Sequence, residues 1–411
     1  MSASPSLGAG PSTPTEEIRP PTTEVGVIGW LHHNLFNSKL NGILTVVVGT
    51  IVVLVVVGLA QWMLFEARWG VITDNMRLFL VGRYPPGEIW RVWLALTVLS
   101  VATGLSAGTS PSRAVRMLAM MLMAGELMLA ALVLVGDLGA LEALTLIGSA
   151  AVVLVTMLAA RRRPVGGIWI SLAWLAAAVS GLLLLAGLGD FALMRSVSSN
   201  LWGGLLLTMV LSVASILLSF PFGVALAVGR RSRLPIVRIV STVYIELIRA
   251  VPLISILFMA QFLFPLVLPE GLRIDNVIRA IGGITAFSAA YVAENVRGGL
   301  QAIPAGQHEA AFAIGLRTWQ TTIFIVLPQA LRITIPANVG LFISLMKDTT
   351  LAYIIGLLEI LGIGRAVLAQ PEWLGTQFEV YFFVAAVFFV LSYTLSQASY
   401  RLEKELGIGE R

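Results

Sequence analysis

Residues 42–65 read Gly42-Ile-Leu-Thr-Val-Val-Val-Gly-Thr-Ile-Val-Val-Leu-Val-Val-Val-Gly-Leu-Ala-Gln-Trp-Met-Leu-Phe65, with no charged side chain among them. A helix rises about 1.5 Å per residue, so a stretch of this length crosses a hydrocarbon layer of about 30 Å. Four more such stretches follow at about 89–108, 114–135, 140–160 and 167–188, and five further on at about 201–229, 243–268, 276–300, 323–347 and 378–401. An open backbone in lipid leaves its N–H and C=O groups unsatisfied, so every span is expected to be helical. The fold class is an all-α integral membrane protein of about ten transmembrane helices. The run 350–365 is apolar enough to hold a further half-helix.

Composition agrees. Hydrophobic residues make up 57% of the 411-residue chain and charged residues 12%, about half the charged share of a soluble domain. The net charge of +5 comes from arginines in short clusters between apolar spans. They read as topology signals rather than a nucleic-acid surface. The absence of cysteine excludes disulfides and thiolate chemistry, and three histidines (His32, His33, His308) supply little for a metal or proton relay. No lysine among Lys39, Lys347 and Lys404 follows a glycine, so the chain has no phosphate-cradling P-loop. His308-Glu309 begins like a zinc-protease helix, but Phe312 stands where the second ligand belongs. No catalytic residue and no metal site are expected, and no cofactor bound by this chain itself.

With the N-terminus inside, the inner segments hold fifteen Lys and Arg near span ends, among them Arg161 to Arg163 and Arg230 to Arg233, against six outside. Arg161 to Arg163 read as a topology anchor. Three of the six outer ones, Arg68, Arg77 and Arg83, lie in the segment 66–88. Both termini are therefore expected in the cytoplasm. Residues 1–41 are rich in Pro, Ser, Thr and Glu, with no apolar core of a cleavable signal, and read as a disordered cytoplasmic tail. Ionisable residues inside spans become common only after 190–200. The expected organisation is an N-terminal membrane region at 42–190, a functional core at 200–401 and a short cytoplasmic tail at 402–411.

The most informative segment is the inner loop Gln301-Ala-Ile-Pro-Ala-Gly-Gln-His-Glu-Ala-Ala-Phe-Ala-Ile-Gly315 and the run Ile325-Val-Leu-Pro328. Gln307 to Thr318 reads as a short helix after Pro304 and Gly306, with Glu309 in its first turn favouring the helix dipole. Ala310, Ala311 and Ala313 give it a thin surface. Gly315, about 1 kcal/mol worse than Ala inside a helix, suits a sharp break with close approach of another backbone. A short, small-sided helix of this kind fits a cleft in a soluble partner.

These residues resemble a known family. The spacing E-A-A, three residues, G, nine residues, I, one residue, L-P is that of the cytoplasmic loop of ABC importer permeases, and Glu309, Ala310, Ala311, Gly315, Ile325, Leu327 and Pro328 match each fixed position. The flanks Tyr244–Pro252, Ala290–Pro304, Leu327–Arg332 and Ser344–Thr350 resemble the polar amino-acid branch, with Ala250-Val251 departing from its usual Gly-Thr. The long N-terminal region is similar to that of the larger permease of general L-amino-acid systems. The resemblance implies a type I ABC importer permease core over the last five helices and a coupling helix at 303–319. It implies partners as well: a second, shorter permease subunit, a pair of ATPase subunits that bind ATP and Mg, and a periplasmic amino-acid-binding protein. It places the chain in the bacterial inner membrane.

Two Glu-x-x-Arg pairs, Glu246 with Arg249 and Glu294 with Arg297, share helix faces near inner span ends and read as structural locks or as a gate. Polar candidates for a mid-bilayer substrate pocket are Ser212, Ser215, Thr285, Ser288 and Asn338, all of which equally suit interhelical hydrogen bonding. Lys347 and Asp348 lie near the outer end of their span, where they could pair, hold the helix end or meet a docked binding protein. Pro221, Pro252, Pro265 and Pro336 read as kinks. Two other classes stay open: a transporter driven by an ion gradient, for which Glu126 is the lone acid deep in a span, and a non-transporting scaffold.

Overall fold

The computed structural model describes residues 26–136, 138–189 and 194–407. The chain falls into two compact units, Met1–Ala67 and Arg68–Arg411. Of the tail expected over 1–41, residues 1–25 lie outside the described residues, while Gly26–Leu35 form helix α1. Ser38 caps helix α2, Lys39–Gln61, by accepting from the Asn41 N–H. Valine, isoleucine and leucine surround α2 on all sides and none of its residues is buried within the chain, as expected of a helix solvated by lipid.

The second unit begins with two short helices, α3 (Gly70–Thr73) and α4 (Met76–Val81). A four-helix group comes next: α5 (Trp90–Thr109), α6 (Arg113–Val135), α7 (Ala140–Arg162) and α8 (Gly167–Ala186). The remaining helices are α9 (Gly204–Arg230), α10 (Pro235–Arg249), α11 (Leu253–Phe258), α12 (Asn276–Ala302), α13 (Ala305–Ala313), α14 (Thr318–Gln320), α15 (Leu327–Asp348), α16 (Ile360–Leu368) and α17 (Gln377–Glu405). The tail expected at 402–411 starts later, because α17 runs to Glu405, and residues 408–411 lie outside the described residues.

Among the described residues nine helices are long and apolar enough to cross a membrane, or ten if one bent pair is a single span. That pair corrects the straight helix expected over 243–268. Pro235–Arg249 and Leu253–Val267 meet at 107°. Pro252 has no N–H to continue the ladder and pushes Val251 out of the helical region, so the chain turns there rather than kinking. Pro221 and Pro336 stay inside continuous helices. Pro328 acts at a distance: its missing donor is absorbed by a wide π turn over Thr321–Val326.

Small residues set the helix crossings, as is usual in membranes where lipid and side chains are equally apolar. A Cβ on Gly104 of α5 would stand 1.9 Å from Thr156 Oγ1, and one on Gly108 2.3 Å from the Met157 carbonyl, both on α7. Gly223 of α9 meets Val292, and Gly299 of α12 meets Thr334. We expect Gly104→Val to lower the thermal unfolding midpoint in detergent, at roughly 1–3 kcal/mol of overpacking. Gly125→Ala on α6, where nothing lies within 4 Å of the added Cβ, serves as the neutral control.

The same four-helix group buries the deep acid. Glu126 Oε1 accepts from Ser149 Oγ at 2.7 Å and from Ser100, so one carboxyl ties α5, α6 and α7 together.

The packing does not divide at 190–200. The segment 68–84, expected as an outer loop of the N-terminal region, buries Val71, Ile72, Met76, Phe79, Leu80, Val81 and Tyr84 against α9, α16 and α17. Phe79 meets Phe383 edge-on at 5.1 Å. The Arg68 backbone N–H donates to Glu379, and its guanidinium to the Leu374 carbonyl. Arg68 is thereby held in folded structure rather than lying in a free loop. We call this the cap end of the bundle, where α9, α12 and α17 begin, and the opposite one, which carries α13, the elbow end.

Candidate functional site

At the elbow end, α13 starts at Ala305 with Pro304 just outside it. This corrects the expected start at Gln307: Glu309 sits one turn in, and the first turn holds no acid. Gly315 lies beyond the helix rather than within it. Its φ is +86° and nothing stands within 4 Å of an added Cβ. The glycine is therefore required by the left-handed turn and not by a close neighbour. The Gly315 N–H donates to the Phe312 carbonyl at 2.9 Å and the Leu316 N–H to the Ala311 carbonyl at 3.1 Å, which closes the helix end. Ala311 faces inward and is buried, whereas Glu309, Ala310, Phe312 and Ile314 are exposed. Leu327 is half-buried at the start of α15, and Pro328 beside it is exposed. Gln329 of α15 donates to Gln307, bracing the elbow to the spans.

The two expected ion pairs resolve into one network. Arg297 does pair with Glu294, its Nε at 2.9 Å. Glu246 does not pair with Arg249; it accepts from Arg230 at 2.8 Å. Arg249 turns to Glu294 at 3.6 Å and lies over the Tyr291 ring, and Arg230 also reaches Glu294 at 3.5 Å. Glu294 is thus the hub for three guanidiniums from α9, α10 and α12. Arg230, read from sequence only as a topology signal, is the residue that contacts both acids.

The polar candidates do not form one pocket. Ser212 donates to the Thr208 carbonyl of its own helix. Ser215 and Thr285 are buried with no hydrogen-bond partner, and Ser288 is buried nearby on α12. Asn338 accepts from Asn295 at 3.1 Å and donates to Thr334, and it borders a cavity of about 350 Å³ at the elbow end with Phe220, Leu331 and Arg332. Lys347 is exposed and Asp348 half-buried at the cap end of α15, and among the described residues they form no ion pair.

A larger cavity, about 660 Å³, opens where the bent pair meets α12. Met259, Leu263, Phe264 and Ile278 line it with small residues Gly282, Gly283 and Ala286, and Arg279 is its charged group. The Arg279 guanidinium donates to the Gln261 carbonyl and to Asn276 Oδ1, both neutral acceptors, while its Nε is buried without a partner. Among the described residues no carboxylate neutralises it. Sequence reasoning passed over Arg279, although a lone arginine one turn inside an apolar span was the available signal. It also passed over Glu359, fully buried between spans at the cap end. Glu359 caps α16 by accepting from Leu361 and Gly362 N–H groups, and burial pushes its carboxyl up to about 7.

A family model described as binding-protein-dependent transport system inner membrane component matches residues 219–403. The glutamate/glutamine/aspartate/asparagine transport system permease protein BztC of Rhodobacter capsulatus is 35% identical over 426 residues, covering 95% of this chain and 97% of that protein. The chain belongs to this family of binding-protein-dependent transport permeases. Such permeases are transport components rather than enzymes. The inner membrane amino-acid ABC transporter permease protein YhdY of Escherichia coli (strain K12) is 44% identical over 221 residues, 54% of this chain and 60% of that protein. A solved structure described as an amino acid ABC transporter with histidines is 27% identical and covers 49% of this chain and 92% of its own, with a TM-score of 0.45. The matched stretch of the permease model starts near the middle of α9 and ends within α17, so α13 and the Glu294 network lie inside it.

Proposed function

We propose that this permease carries amino acids inward through a bacterial inner membrane, driven by ATP hydrolysed in a separate pair of subunits that hold the nucleotide and Mg. The observation that carries the reading is the exposed, braced helix Ala305–Ala313, ended by the left-handed Gly315. A stiff rod of small residues standing out from the spans is what a soluble motor can grip and move. In this reading the elbow end and both termini face the cytoplasm, with 42–190 as an accessory membrane region and 200–401 as the transporting core. The cap end faces outward, where Lys347 and Asp348 lie within reach of a docked binding protein. A second, different permease subunit completes the pathway. The Glu294 network joins the inner ends of three helices, so it serves as an inner gate whose pairs re-form as the spans rock.

The amino-acid class has two supports: the names of the relatives above, and the cavity at Arg279. A guanidinium held by neutral acceptors inside an apolar cavity suits an α-carboxylate, which no apolar solute offers. The ion-gradient alternative needs embedded carboxylates for the coupling ion, and the two most deeply buried ones are engaged within the chain: Glu126 Oε1 by Ser100 and Ser149, and Glu359 by the Leu361 and Gly362 N–H groups.

Detergent extraction should bring down a soluble P-loop ATPase with this chain. In proteoliposomes containing the whole complex and its binding protein, L-glutamate uptake should need ATP and persist when ionophores collapse all ion gradients. Uptake that follows a gradient in the absence of ATP overturns the proposal.

A further inference from the structure

We propose that the segment Met76–Tyr84, contributed by the N-terminal part of the chain, is a strap that positions Arg279 through Asn200 and Asn276. The inference rests on the reading of Arg279 as the substrate-carboxylate ligand, and it gives that part of the chain a role in transport.

The strap is fixed against the turn that precedes α9. Gly82 and Trp202 form an isolated antiparallel bridge. A Cβ on Gly82 would stand 2.4 Å from the Gly203 Cα, and one on Gly204 2.3 Å from the Phe79 carbonyl oxygen. Gly82 and Gly204 both have positive φ, +67° and +58°. Two backbones therefore cross at a separation that side chains forbid. Phe79, at the centre of the strap, is fully buried. The position of Ser199–Leu201 is thereby set by the strap, and Arg83 adds a bond from its Nη2 to the Asn200 carbonyl at 3.3 Å.

From that turn two side chains reach the start of α12. Ser199 Oγ donates to Asp275 Oδ2, and the other oxygen of Asp275 caps α12 by accepting from Val277 N–H at 2.8 Å. Asn276 Nδ2 donates to Asn200 Oδ1 at 3.1 Å, and Asn276 Oδ1 accepts from the Arg279 guanidinium. A hydrogen-bonded chain thus runs from the strap to the cavity. A long arginine side chain carries about 2 kcal/mol of rotamer entropy, so an acceptor that is itself held in place decides where the guanidinium points. Asn276 and Asn200 act as positioning residues and do not touch the solute.

The test uses the full permease–ATPase complex in detergent, without binding protein, and equilibrium binding of radiolabelled L-glutamate. Arg279→Gln should weaken binding about tenfold, the size of one charge-assisted hydrogen bond. Asn276→Ala and Asn200→Ala should each weaken it about threefold, and neither should weaken it further in the Arg279→Gln background, because residues acting through one group are non-additive. Asn276→Asp should weaken binding more than Asn276→Ala, since its carboxylate competes for the guanidinium, although it keeps the acceptor. Arg83→Ala, an exposed change, should lower affinity in the same direction. Additive losses from Asn200 and Asn276 in the Arg279→Gln background, or Asn276→Asp binding like the unaltered protein, overturn the strap proposal and leave the pocket standing. No binding to the unaltered complex, or no effect of Arg279→Gln, removes the pocket reading itself.

Discussion

Gly315→Val should reduce uptake to background while the protein still inserts and unfolds at its usual temperature. At φ +86° a β-branched residue is a conformational outlier, costing about 1–2 kcal/mol from the left-handed geometry alone. The local helix end relaxes instead: the Gly315 and Leu316 N–H bonds to the Phe312 and Ala311 carbonyls are lost, and the direction of the rod changes. Few contacts of the spans depend on that corner, since nothing lies within 4 Å of the glycine's missing side chain. The loss therefore shows in transport and solute-stimulated ATP hydrolysis, not in stability. Gly315→Asn keeps most activity, because asparagine tolerates the left-handed region. Gly315→Asp has the same shape as Asn but sets a carboxylate on the exposed docking surface, and it should stop uptake. The trio separates backbone geometry from charge, and a Val variant that transports normally would show that the elbow transmits nothing.

The membrane class was legible because hydropathy over twenty residues is a sum, insensitive to any one neighbour. The elbow was legible for a different reason: its short-range spacing from Glu309 to Pro328 is a property of one segment. What escaped the sequence was pairing between segments. Glu246 and Arg249 share a helix face, yet Glu246 selects Arg230, because the rotation of α9 against α10 is fixed by packing and not by either sequence alone. Residues 68–84 failed as a loop for the same reason. Arg68, Arg77 and Arg83 mask the apolar groups Val71-Ile72 and Phe79-Leu80-Val81, and the cavity those groups fill is built by α16 and α17, three hundred positions further along. The bend at Pro252 was half legible: proline fixed where the helix stops, while the 107° turn depends on what α11 packs against. Hydroxyl identity alone does not mark a pocket: Ser212 is satisfied on its own helix, whereas Ser215 and Thr285 are buried without a hydrogen-bond partner. The Arg279 guanidinium has only neutral acceptors and keeps a buried Nε without a partner, which makes it the more informative residue.

Glu294→Ala should destabilise the assembled permease more than any other single change in its ion-pair network. Its carboxylate faces Arg230, Arg249 and Arg297, and its side chain is 23% exposed. Removing it leaves three guanidiniums with Glu246 as the remaining acid of the cluster. Breaking a fully buried pair costs about 3–5 kcal/mol; partial exposure reduces this to roughly 2–3 kcal/mol, measured as thermal unfolding in detergent. Glu246→Ala is milder, within about 1 kcal/mol, because that carboxylate is 56% exposed and has one partner. The decisive variant is the double change Glu294→Gln with Arg230→Gln. The double variant has two guanidiniums and one carboxylate, the same net charge of +1 as the unaltered three and two, and part of the lost stability should return with it. A lock and a gate differ in how uptake responds to that rescue. If the network only holds helices together, restored stability restores uptake. If its pairs must break and re-form with each cycle, the double variant is stable yet slow, or hydrolyses ATP without moving solute. Uptake at the unaltered rate by the stable double variant would end the gate reading and leave a structural clamp.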